Sequence, residues 1–539
     1  MEANLRHAIE NIIRDEVGET TQFRVERTEI SGRGDYSSNV AFIRAKEEHR
    51  APLAIAEELA SRVKEKHPDM FYSVEVAAPG FLNFYLTPAF VVRCIKEAVS
   101  PKKPKRLGKA SVEFISANPT GPIHIGNARG GPIGDVIASI LSEIGYKVTR
   151  EYYHNDAGAQ VGKFADSLWC WYLRSRRVSA SLPEDGYEGE YVQRVGADAS
   201  RKWKDALLRD KRGKEKLLQF ALARFWKENM QTIKDLGIHF NKIVKESALA
   251  RSKTKKVLAE LDNKGLLIKK DGAVWFSPKG EHMKDREAVV VKADGTLVYF
   301  ANDVAYHKEK FLKYDLVVDE FGEGHEGHIA KLRAVADVFD FGQDKFKIVV
   351  HGQITLIKNG KIVSMAKRKG NFVTAQEVLR DVGRDAFRYF LLSYSPRSGM
   401  QFDLTLAKSQ SKKNPVYYIQ YAHARASGIL RKGKRKSDLK KVDWSLVESV
   451  PELDLMKQIL VFREILDDTA SDFEVQRLAR YAYELARAFA EFYETTPVII
   501  KEKKNDKNLE YARLGLVFLT KQMLAKTLSL MGISAPEKM

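Results

Sequence analysis

The segment from Glu113 to Asp135, EFISANPTGPIHIGNARGGPIGD, has the residue types and spacing that could bind a nucleotide. It follows a strand-like run, SVEFIS, and precedes an amphipathic helix pattern. Glycines let the backbone approach a ligand closely, and the positive N-terminus of the following helix faces the same place. The imidazole of His124 can donate a hydrogen bond to a phosphate there. Taken alone, a glycine-rich loop after a strand is a weak signal, because many such loops only turn the chain.

The local sequence of this loop is more specific than its composition. His124-Ile125-Gly126-Asn127 resembles the HIGH signature of class I aminoacyl-tRNA synthetases, and SANPTGPIHIGNARG resembles the arginine-specific family. The resemblance implies that His124 and Asn127 are catalytic residues that hold ATP phosphates, together with Gly121 and Gly126. Asn127 replaces the second histidine, so it keeps an N–H donor but cannot carry charge. The HIGH-like motif comprises Ala117, Asn118, Pro119, Thr120, Gly121, Pro122, Ile123, His124, Ile125, Gly126 and Asn127.

A second motif, VSMAKRKGNFVT, resembles the lysine-containing KMSKS loop of the same class. Ser364 and Ala366 depart from the usual lysine and serine, whereas Lys367 keeps the second lysine position. The resemblance implies that Lys367 binds ATP and neutralises the departing pyrophosphate. Some arginine-specific relatives carry a substitute lysine at the position of Gly121, so its absence here makes Lys367 essential. The KMSKS-like loop comprises Ser364, Met365, Ala366, Lys367 and Arg368.

The segment TLVYFANDVAYH contains candidates for recognising the amino acid. A guanidinium is planar and permanently charged, so its selection requires a carboxylate and aligned acceptors. Tyr299 and Asp303 are four residues apart and share one face if this segment is helical. The resemblance implies that they bind the arginine side chain, with Glu113 and Asn118 near its amino group and carboxylate. The alternative roles are a helix cap for Asp303 and a core position for Tyr299.

One wall of this predicted pocket departs from the family pattern. The chain reads GEGHEGH where relatives read GADHHG, so Gly324 stands at the position of an aspartate. His325 and His328 lack further ligands nearby, and no metal site is predicted. The only cysteines, Cys94 and Cys170, are far apart, which excludes the thiolate zinc of the cysteine-specific enzymes that also carry HIGN.

Three regions are predicted to position these motifs, and the fold class is multidomain α/β. Residues 1–100 are predicted as a small α+β unit, and residues 101–405 as a Rossmann-like parallel-sheet catalytic domain with a charged helical insertion at about 160–288. Residues 406–539 are predicted as an all-α bundle, and the family resemblance implies that this bundle binds the anticodon. The predicted catalytic strands are SVEFIS, KVTREYY, LVYF, DLVVDEF and KFKIVVHGQITLI.

The composition indicates the kind of partner and the cellular location of the protein. A net charge of +19 over 539 residues favours a polyanionic partner such as nucleic acid. No apolar run is long enough to cross a bilayer, and the first residues lack a secretion signal, which indicates a cytoplasmic protein. The family resemblance also implies contact between the N-terminal unit and the tRNA elbow. Basic helices with exposed aromatic residues suit stacking on unpaired anticodon bases. No base contact is assigned to Tyr417, Tyr418 and Tyr421, because their helical spacing also fits positions in the core.

The expected function is that of an arginine–tRNA ligase, acting as a monomer. ATP, with magnesium on its phosphates, would activate arginine as arginyl-adenylate, and tRNA(Arg), bound beforehand, would accept the arginyl group. A non-catalytic tRNA-binding paralogue is the alternative that the departures at Asn127, Ser364, Ala366 and Gly324 suggest. Another class I enzyme, for example one specific for lysine, is a second alternative.

Overall fold

An antiparallel sheet with the strand order β1-β2-β4-β3 organises the N-terminal part of the chain. The structure is a computed structural model that describes residues 4–28, 33–99, 104–249, 251–284, 286–363, 373–433, 438–500 and 507–539. The N-terminal elements are α1 (Leu5–Val17), β1 (Val25–Arg27), β2 (Tyr36–Ser38), α2 (Val40–Glu48), α3 (Pro52–Lys66), β3 (Phe71–Ala77), β4 (Phe81–Leu86) and α4 (Pro88–Ala98). The strands predicted at YSVEVA and GFLNFYL, and the helix predicted from Pro52, are confirmed.

A five-stranded parallel sheet, ordered β12-β11-β5-β6-β7, forms the centre of the molecule. Its first elements are β5 (Gly108–Glu113), α5 (Ile125–Ala128), α6 (Gly130–Ile144), β6 (Tyr146–His154), α7 (Ala159–Ser175), α8 (Glu190–Trp203), α9 (Gly213–Asp235), β7 (Lys242–Lys245) and α10 (Arg251–Asn263). The chain runs from β5 outward to β6 and β7, and later returns to β11 and β12 on the other side of β5. The carboxyl ends of β5 and β11 therefore flank a topological switch point, where open α/β sheets bind their ligands.

The remainder of this region completes the sheet and adds two smaller ones. Its elements are β8 (Leu267–Lys270), β9 (Ala273–Phe276), β10 (Ala288–Val291), α11 (Tyr299–Lys313), β11 (Leu316–Gly322), α12 (Glu326–Val338), β12 (Phe346–His351), β13 (Ile354–Lys358), β14 (Lys361–Ile362), α13 (Ala375–Val382), α14 (Arg384–Leu392), β15 (Met400–Asp403) and α15 (Leu404–Lys408). The smaller sheets have the orders β10-β9-β8 and β14-β13-β15.

Three details of this region differ from the predicted strands. LVYF is not a strand, because helix α11 already begins at Tyr299 and only Leu297 forms an isolated bridge, to Val291. The run KFKIVVHGQITLI divides at Gly352 into β12 and β13, which belong to different sheets. Strand β7 lies inside the range predicted as a helical insertion, yet it forms the edge of the central sheet.

The C-terminal part is helical in all that the structure describes of it. Its helices are α16 (Pro415–Gly433), α17 (Val450–Leu460), α18 (Phe462–Asp472), α19 (Gln476–Thr495) and α20 (Lys507–Leu530). Arg388 of α14 joins this part to α6 and to the end of α9. Its guanidinium is buried and donates to Asp135 Oδ2 at 2.7 Å, to the Leu236 carbonyl at 3.0 Å and to the Met531 carbonyl at 2.6 Å. Of the helices described, none is long and apolar enough to span a bilayer.

The N-terminal part also contacts the C-terminal helices directly. Arg6 pairs with Asp468 at 2.7 Å, and the buried Tyr36 hydroxyl donates to Glu464 Oε1 at 2.8 Å. Lys457 of α17 pairs with Asp35 at 2.7 Å. The first and last parts of the polypeptide therefore share an interface with charged hydrogen bonds.

Candidate active site

The loop after β5 is held by close packing at its glycines. A Cβ at Gly134 would lie 2.2 Å from the Phe114 ring, and a Cβ at Gly130 would lie 2.1 Å from Glu320 Oε2. These two glycines allow α6 to pack against the sheet, as a dinucleotide-type turn requires. Gly130 and Gly134 therefore have a packing role in this loop.

His124 begins the short helix α5 and lies beside the end of the second motif. Its Nδ1 accepts a hydrogen bond from the Asn127 N–H at 3.2 Å. The Ile125 N–H donates to the Val373 carbonyl at 3.2 Å, and the Ala375 N–H donates to the Ile123 carbonyl at 2.8 Å. Residues 123–125 are thus bonded to residues 373–375, which directly follow the KMSKS-like loop.

The KMSKS-like loop itself, Ser364, Met365, Ala366, Lys367 and Arg368, lies outside the described residues. Its two flanks are described. Strand β14 ends at Ile362, and the Val363 N–H donates to the Leu356 carbonyl at 2.9 Å. On the other side, Thr374 caps α13 through reciprocal bonds with Glu377. The role of Lys367 stays a prediction.

Arg129, the residue after Ala128 of the motif, fixes the loop to the rest of the domain. Its fully buried guanidinium donates to the carbonyls of Gly352 at 2.8 Å, Ser395 at 2.9 Å and Ser398 at 2.6 Å. Burial lowers the pKa of Arg129 to about 10, which still leaves it charged at neutral pH. The nucleotide loop is therefore anchored on Gly352, between β12 and β13, and on the segment that precedes β15. The sequence had assigned Arg129 no role.

Tyr299 and Asp303 lie on one face of the first turns of α11, as their spacing predicts. Asp303 is 3% exposed, and its Oδ2 has no hydrogen-bond partner among the described residues. Burial, followed by the nearby carboxylates of Glu246 and Glu113, raises the pKa of Asp303 well above its usual range. A carboxylate in such surroundings favours a cationic partner.

Glu246 is a site residue that the sequence interpretation did not include. It directly follows β7, is 4% exposed, and accepts a long hydrogen bond from Asn302 Nδ2 at 3.4 Å. Burial raises the pKa of its carboxyl group, and Asp156 adds to the effect. Glu246 could have been identified from the sequence as an acidic residue at the carboxyl end of a strand, where such sheets bind their ligands. It was not identified because KIVK had been placed in a helical insertion.

In the described part of the chain, no lysine or arginine balances these two carboxyl groups. Within the described ranges, neither Asp303 nor Glu246 forms an ion pair with a lysine or arginine. His328 Nε2 lies 3.6 Å from Asp303 Oδ2, but burial lowers the pKa of His328 to about 4, so the imidazole is neutral at physiological pH. Both carboxyl groups therefore hold their protons more tightly than in water, and a bound cation would favour their ionised forms.

Aromatic rings form the walls around these carboxylates. The ring of Tyr153 meets Tyr299 edge-to-face at 6.3 Å and Tyr306 at 5.1 Å. The Tyr153 hydroxyl is buried and has no partner in the described part of the chain. A phenol oxygen and two carboxylates offer acceptors of the kind that a guanidinium's five N–H groups require.

Glu113 and Asn118 occupy two different environments. Glu113 Oε2 accepts from the Tyr306 hydroxyl at 2.8 Å and from Lys310 Nζ at 3.0 Å, so this carboxylate already has a buried cation. Asn118 is exposed, and its Nδ2 donates to Gln160 Oε1 at 2.6 Å. The structure thus brings Glu113, Tyr299 and Asp303 to one end of the sheet, while Asn118 contacts the start of α7.

Three family profiles match consecutive parts of this chain. They are described as "Arginyl tRNA synthetase N terminal domain" over residues 1–86, "tRNA synthetases class I (R), catalytic domain" over 94–390, and "DALR anticodon binding domain" over 419–539. An arginine–tRNA ligase of Acetivibrio thermocellus is 37% identical, with 97% of this chain and 95% of that protein covered. Another from Caldanaerobacter subterraneus is 36% identical, with 96% and 93% covered. The structure of Thermus thermophilus arginyl-tRNA synthetase superposes with a TM-score of 0.78 at 24% identity, covering 99% of this chain and all of that one.

Proposed function

This chain belongs to the arginyl-tRNA synthetase family and charges tRNA(Arg), and we propose that Asp303 and Glu246 select arginine while His124 and Lys367 hold ATP. The expectation of a class I ligase with ATP as substrate is confirmed, and the alternatives of a non-catalytic paralogue and of another specificity are set aside. The residue roles below are proposals, as are the predicted domain bounds.

The observation that carries the proposal for arginine is a pair of buried carboxyl groups that no lysine or arginine among the described residues pairs with. Asp303 and Glu246 are each less than a tenth exposed, and burial raises the pKa of both carboxyl groups. The Glu246 carboxylate raises the pKa of Asp303 further. An arginine guanidinium stays charged at every physiological pH and would balance them. Lysine presents a single compact ammonium, which cannot bond both carboxylates in one plane, so the pocket favours arginine.

The proposal for ATP rests on the backbone bonds between residues 123–125 and residues 373–375. They fix the ends of two motifs, which otherwise are more than two hundred residues apart, on one side of the sheet. His124 and Asn127 then donate to ATP phosphates, with the backbone at Gly121 and Gly126 beside them. Lys367 neutralises the pyrophosphate as the arginine carboxylate attacks the α-phosphate, and positioning and charge stabilisation supply most of the catalysis.

We propose that magnesium enters bound to the ATP phosphates. The described residues contain no cluster of three or more His, Cys, Asp or Glu side chains that could hold a metal ion by themselves. Magnesium commonly keeps several water ligands and uses substrate phosphates with few protein groups, which fits this donor set. A cytoplasmic location and a monomeric state stay predictions.

For the tRNA, we propose that the face formed by α16 and α19 stacks on anticodon bases. The Arg425 guanidinium lies 5.0 Å from the centre of the Tyr421 ring and 4.6 Å from that of Tyr493, and Tyr493 is 36% exposed. Stacked aromatic and guanidinium groups on a basic surface suit unpaired bases. Tyr493→Ala should weaken tRNA(Arg) binding by about 1–3 kcal/mol, as measured by filter binding, and unchanged affinity would contradict this assignment.

The arginine pocket is tested by Glu246→Gln in ATP–pyrophosphate exchange with tRNA(Arg) present. Losing the charge of one acceptor should raise the KM for arginine roughly 10- to 100-fold, while the KM for ATP stays the same. Glu287→Gln is the matched control, since that carboxylate pairs with Lys270 at 3.4 Å on a separate sheet. An unchanged KM for arginine in the Glu246→Gln variant would contradict the assignment of Glu246 to the arginine pocket.

A further inference from the structure

His351, the last residue of β12, lies between an acidic side chain and the nucleotide loop. It is 8% exposed, and its Nδ1 hydrogen-bonds Glu320 Oε1 of the neighbouring strand β11. Its Nε2 lies 3.1 Å from the carbonyl oxygen of Gly126. Glu320 is 6% exposed, and its other oxygen accepts from the Ile115 N–H at 3.3 Å.

These contacts determine which ring nitrogen of His351 carries hydrogen. The Gly126 carbonyl can only accept, so Nε2 must be protonated. Glu320 meets the opposite nitrogen, either as a carboxylate accepting from an imidazolium or as a neutral acid donating to an imidazole. Both arrangements have the same net charge, and both leave the Nε2–H donated to Gly126.

The peptide unit that His351 contacts is the one whose N–H meets His124. The Gly126 carbonyl and the Asn127 N–H belong to the same amide group, and that N–H donates to His124 Nδ1 at 3.2 Å. A bond accepted at the carbonyl strengthens donation from the N–H of the same amide. Because His124 Nδ1 accepts, a neutral His124 carries its hydrogen on Nε2, which is the donor form that a phosphate requires.

We propose that His351, held by Glu320, is a positioning residue for ATP that acts through the Gly126–Asn127 peptide on His124. The inference rests on the proposed role of His124 as a phosphate donor. His351 itself does not contact the substrate.

The test uses the full-length enzyme in ATP–pyrophosphate exchange with saturating tRNA(Arg). His351→Leu keeps the approximate volume and removes both ring nitrogens, so the KM for ATP should rise roughly 10- to 100-fold. The KM for arginine should stay within about twofold of the wild-type value, since no bond to the arginine pocket is lost. A purely structural role would instead change both KM values and lower Tm.

Two polar variants provide the matched comparison. In His351→Gln the side-chain amide nitrogen can occupy the position of Nε2 and donate to Gly126, so the KM for ATP should return to within about threefold of wild type. In His351→Asn the amide reaches Glu320 but not Gly126, and this variant should behave like His351→Leu. His282→Gln, at a histidine 3.3 Å from Asp337 on α12, is the control for loss of an unrelated histidine–aspartate pair.

A double-mutant cycle separates this inference from the proposed function. If His351 acts through His124, adding His351→Leu to His124→Ala should raise the KM for ATP by no more than about twofold beyond the single His124 variant. The inference would be overturned if the effects of His351→Leu and His124→Ala on the KM for ATP multiplied fully in the double variant. It would also be overturned if His351→Leu and His351→Asn both kept the wild-type KM for ATP. An unchanged KM for ATP in His124→Ala alone would overturn the proposed role of His124 instead.

Discussion

Asp303→Asn should weaken arginine activation and strengthen folding in the same molecule. The carboxylate of Asp303 is 3% exposed, has an oxygen without a partner in the described residues, and lies near Glu246 and Glu113. Asparagine has nearly the same shape, so the substitution removes charge while leaving the packing intact. Its amide N–H groups can donate to the remaining carboxylates, which the aspartate could not do.

The loss in arginine binding follows from breaking a buried charged pair. Removing one partner of such a pair costs about 3–5 kcal/mol, which corresponds to a fall in kcat/KM for arginine of roughly 100- to 1,000-fold or more. The gain in folding follows from removing a buried carboxyl group that is costly to ionise, and we expect the free energy of unfolding without substrate to rise by about 1 kcal/mol or more at neutral pH.

The pH dependence of the free energy of unfolding provides a second test of the sign of this stability change. Because the pKa of Asp303 in the fold lies above its value in the unfolded chain, ionising this group costs folding free energy. The stabilisation by asparagine is therefore complete above the folded pKa, decreases as pH falls toward the unfolded pKa, and disappears below the unfolded pKa. Urea unfolding at several pH values measures this difference between variant and wild type.

Exchange assays with arginine and with citrulline, its neutral isostere, measure the change in specificity. In the variant, kcat/KM for arginine should fall, and the ratio of kcat/KM for arginine to that for citrulline should decrease, because the attraction for a charged guanidinium is reduced. Asp262→Asn, at an exposed position in the last turn of α10, is the control. An arginine kcat/KM within about threefold of wild type, or a fall in stability together with activity, would refute the reasoning.

Three further predictions concern the second motif, the domain junction and the arginine pocket. Lys367→Ala should reduce exchange by roughly 100- to 1,000-fold without changing the circular dichroism spectrum, and unchanged exchange would disprove its role. Arg388→Met removes the bond to Asp135 at 2.7 Å and two bonds to buried carbonyls, while Asp135 keeps Arg150 at 3.1 Å. Urea unfolding should show a loss of about 1–3 kcal/mol, and an unchanged free energy of unfolding would contradict a structural role for this junction. The KM for arginine should rise as pH falls, because the carboxyl groups of Asp303 and Glu246 have raised pKa values and must lose protons to bind a cation. Calorimetry of arginine binding in buffers of different ionisation enthalpy should detect this proton release. Binding without proton release would argue against ionisation of these groups.

Much of the site could be predicted because local sequence determined it. The strand–loop–helix unit from β5 to β6 follows from apolar periodicity, and Gly145, with φ of 121°, ends α6 where the pattern stops. The shared face of Tyr299 and Asp303 follows from helix geometry alone. These inferences needed no knowledge of which strands are neighbours.

The parts that were missed depend on strand order, which a single sequence does not determine. Glu246 enters the pocket only because β7 pairs with β6, and Glu320 reaches His351 only because β11 pairs with β12. LVYF was mistaken for a strand because its β-branched and aromatic residues favour one, whereas tertiary packing placed Tyr299 in the first turn of α11. The division of the last predicted strand occurs at Gly352, where any Cβ would lie 2.8 Å from the backbone of Ser398.

The contacts of Arg6, Asp35 and Tyr36 with helices α17 and α18 have a consequence for biosynthesis. The surface that receives the first hundred residues is made from residues 450–472, which leave the ribosome after four fifths of the chain has been synthesised. The N-terminal unit must therefore fold early with this surface still exposed to solvent, and dock only when translation is nearly complete. A cut in the chain between α4 and β5 should accordingly leave the two fragments associated, since the ion pairs that join them lie far from the cut.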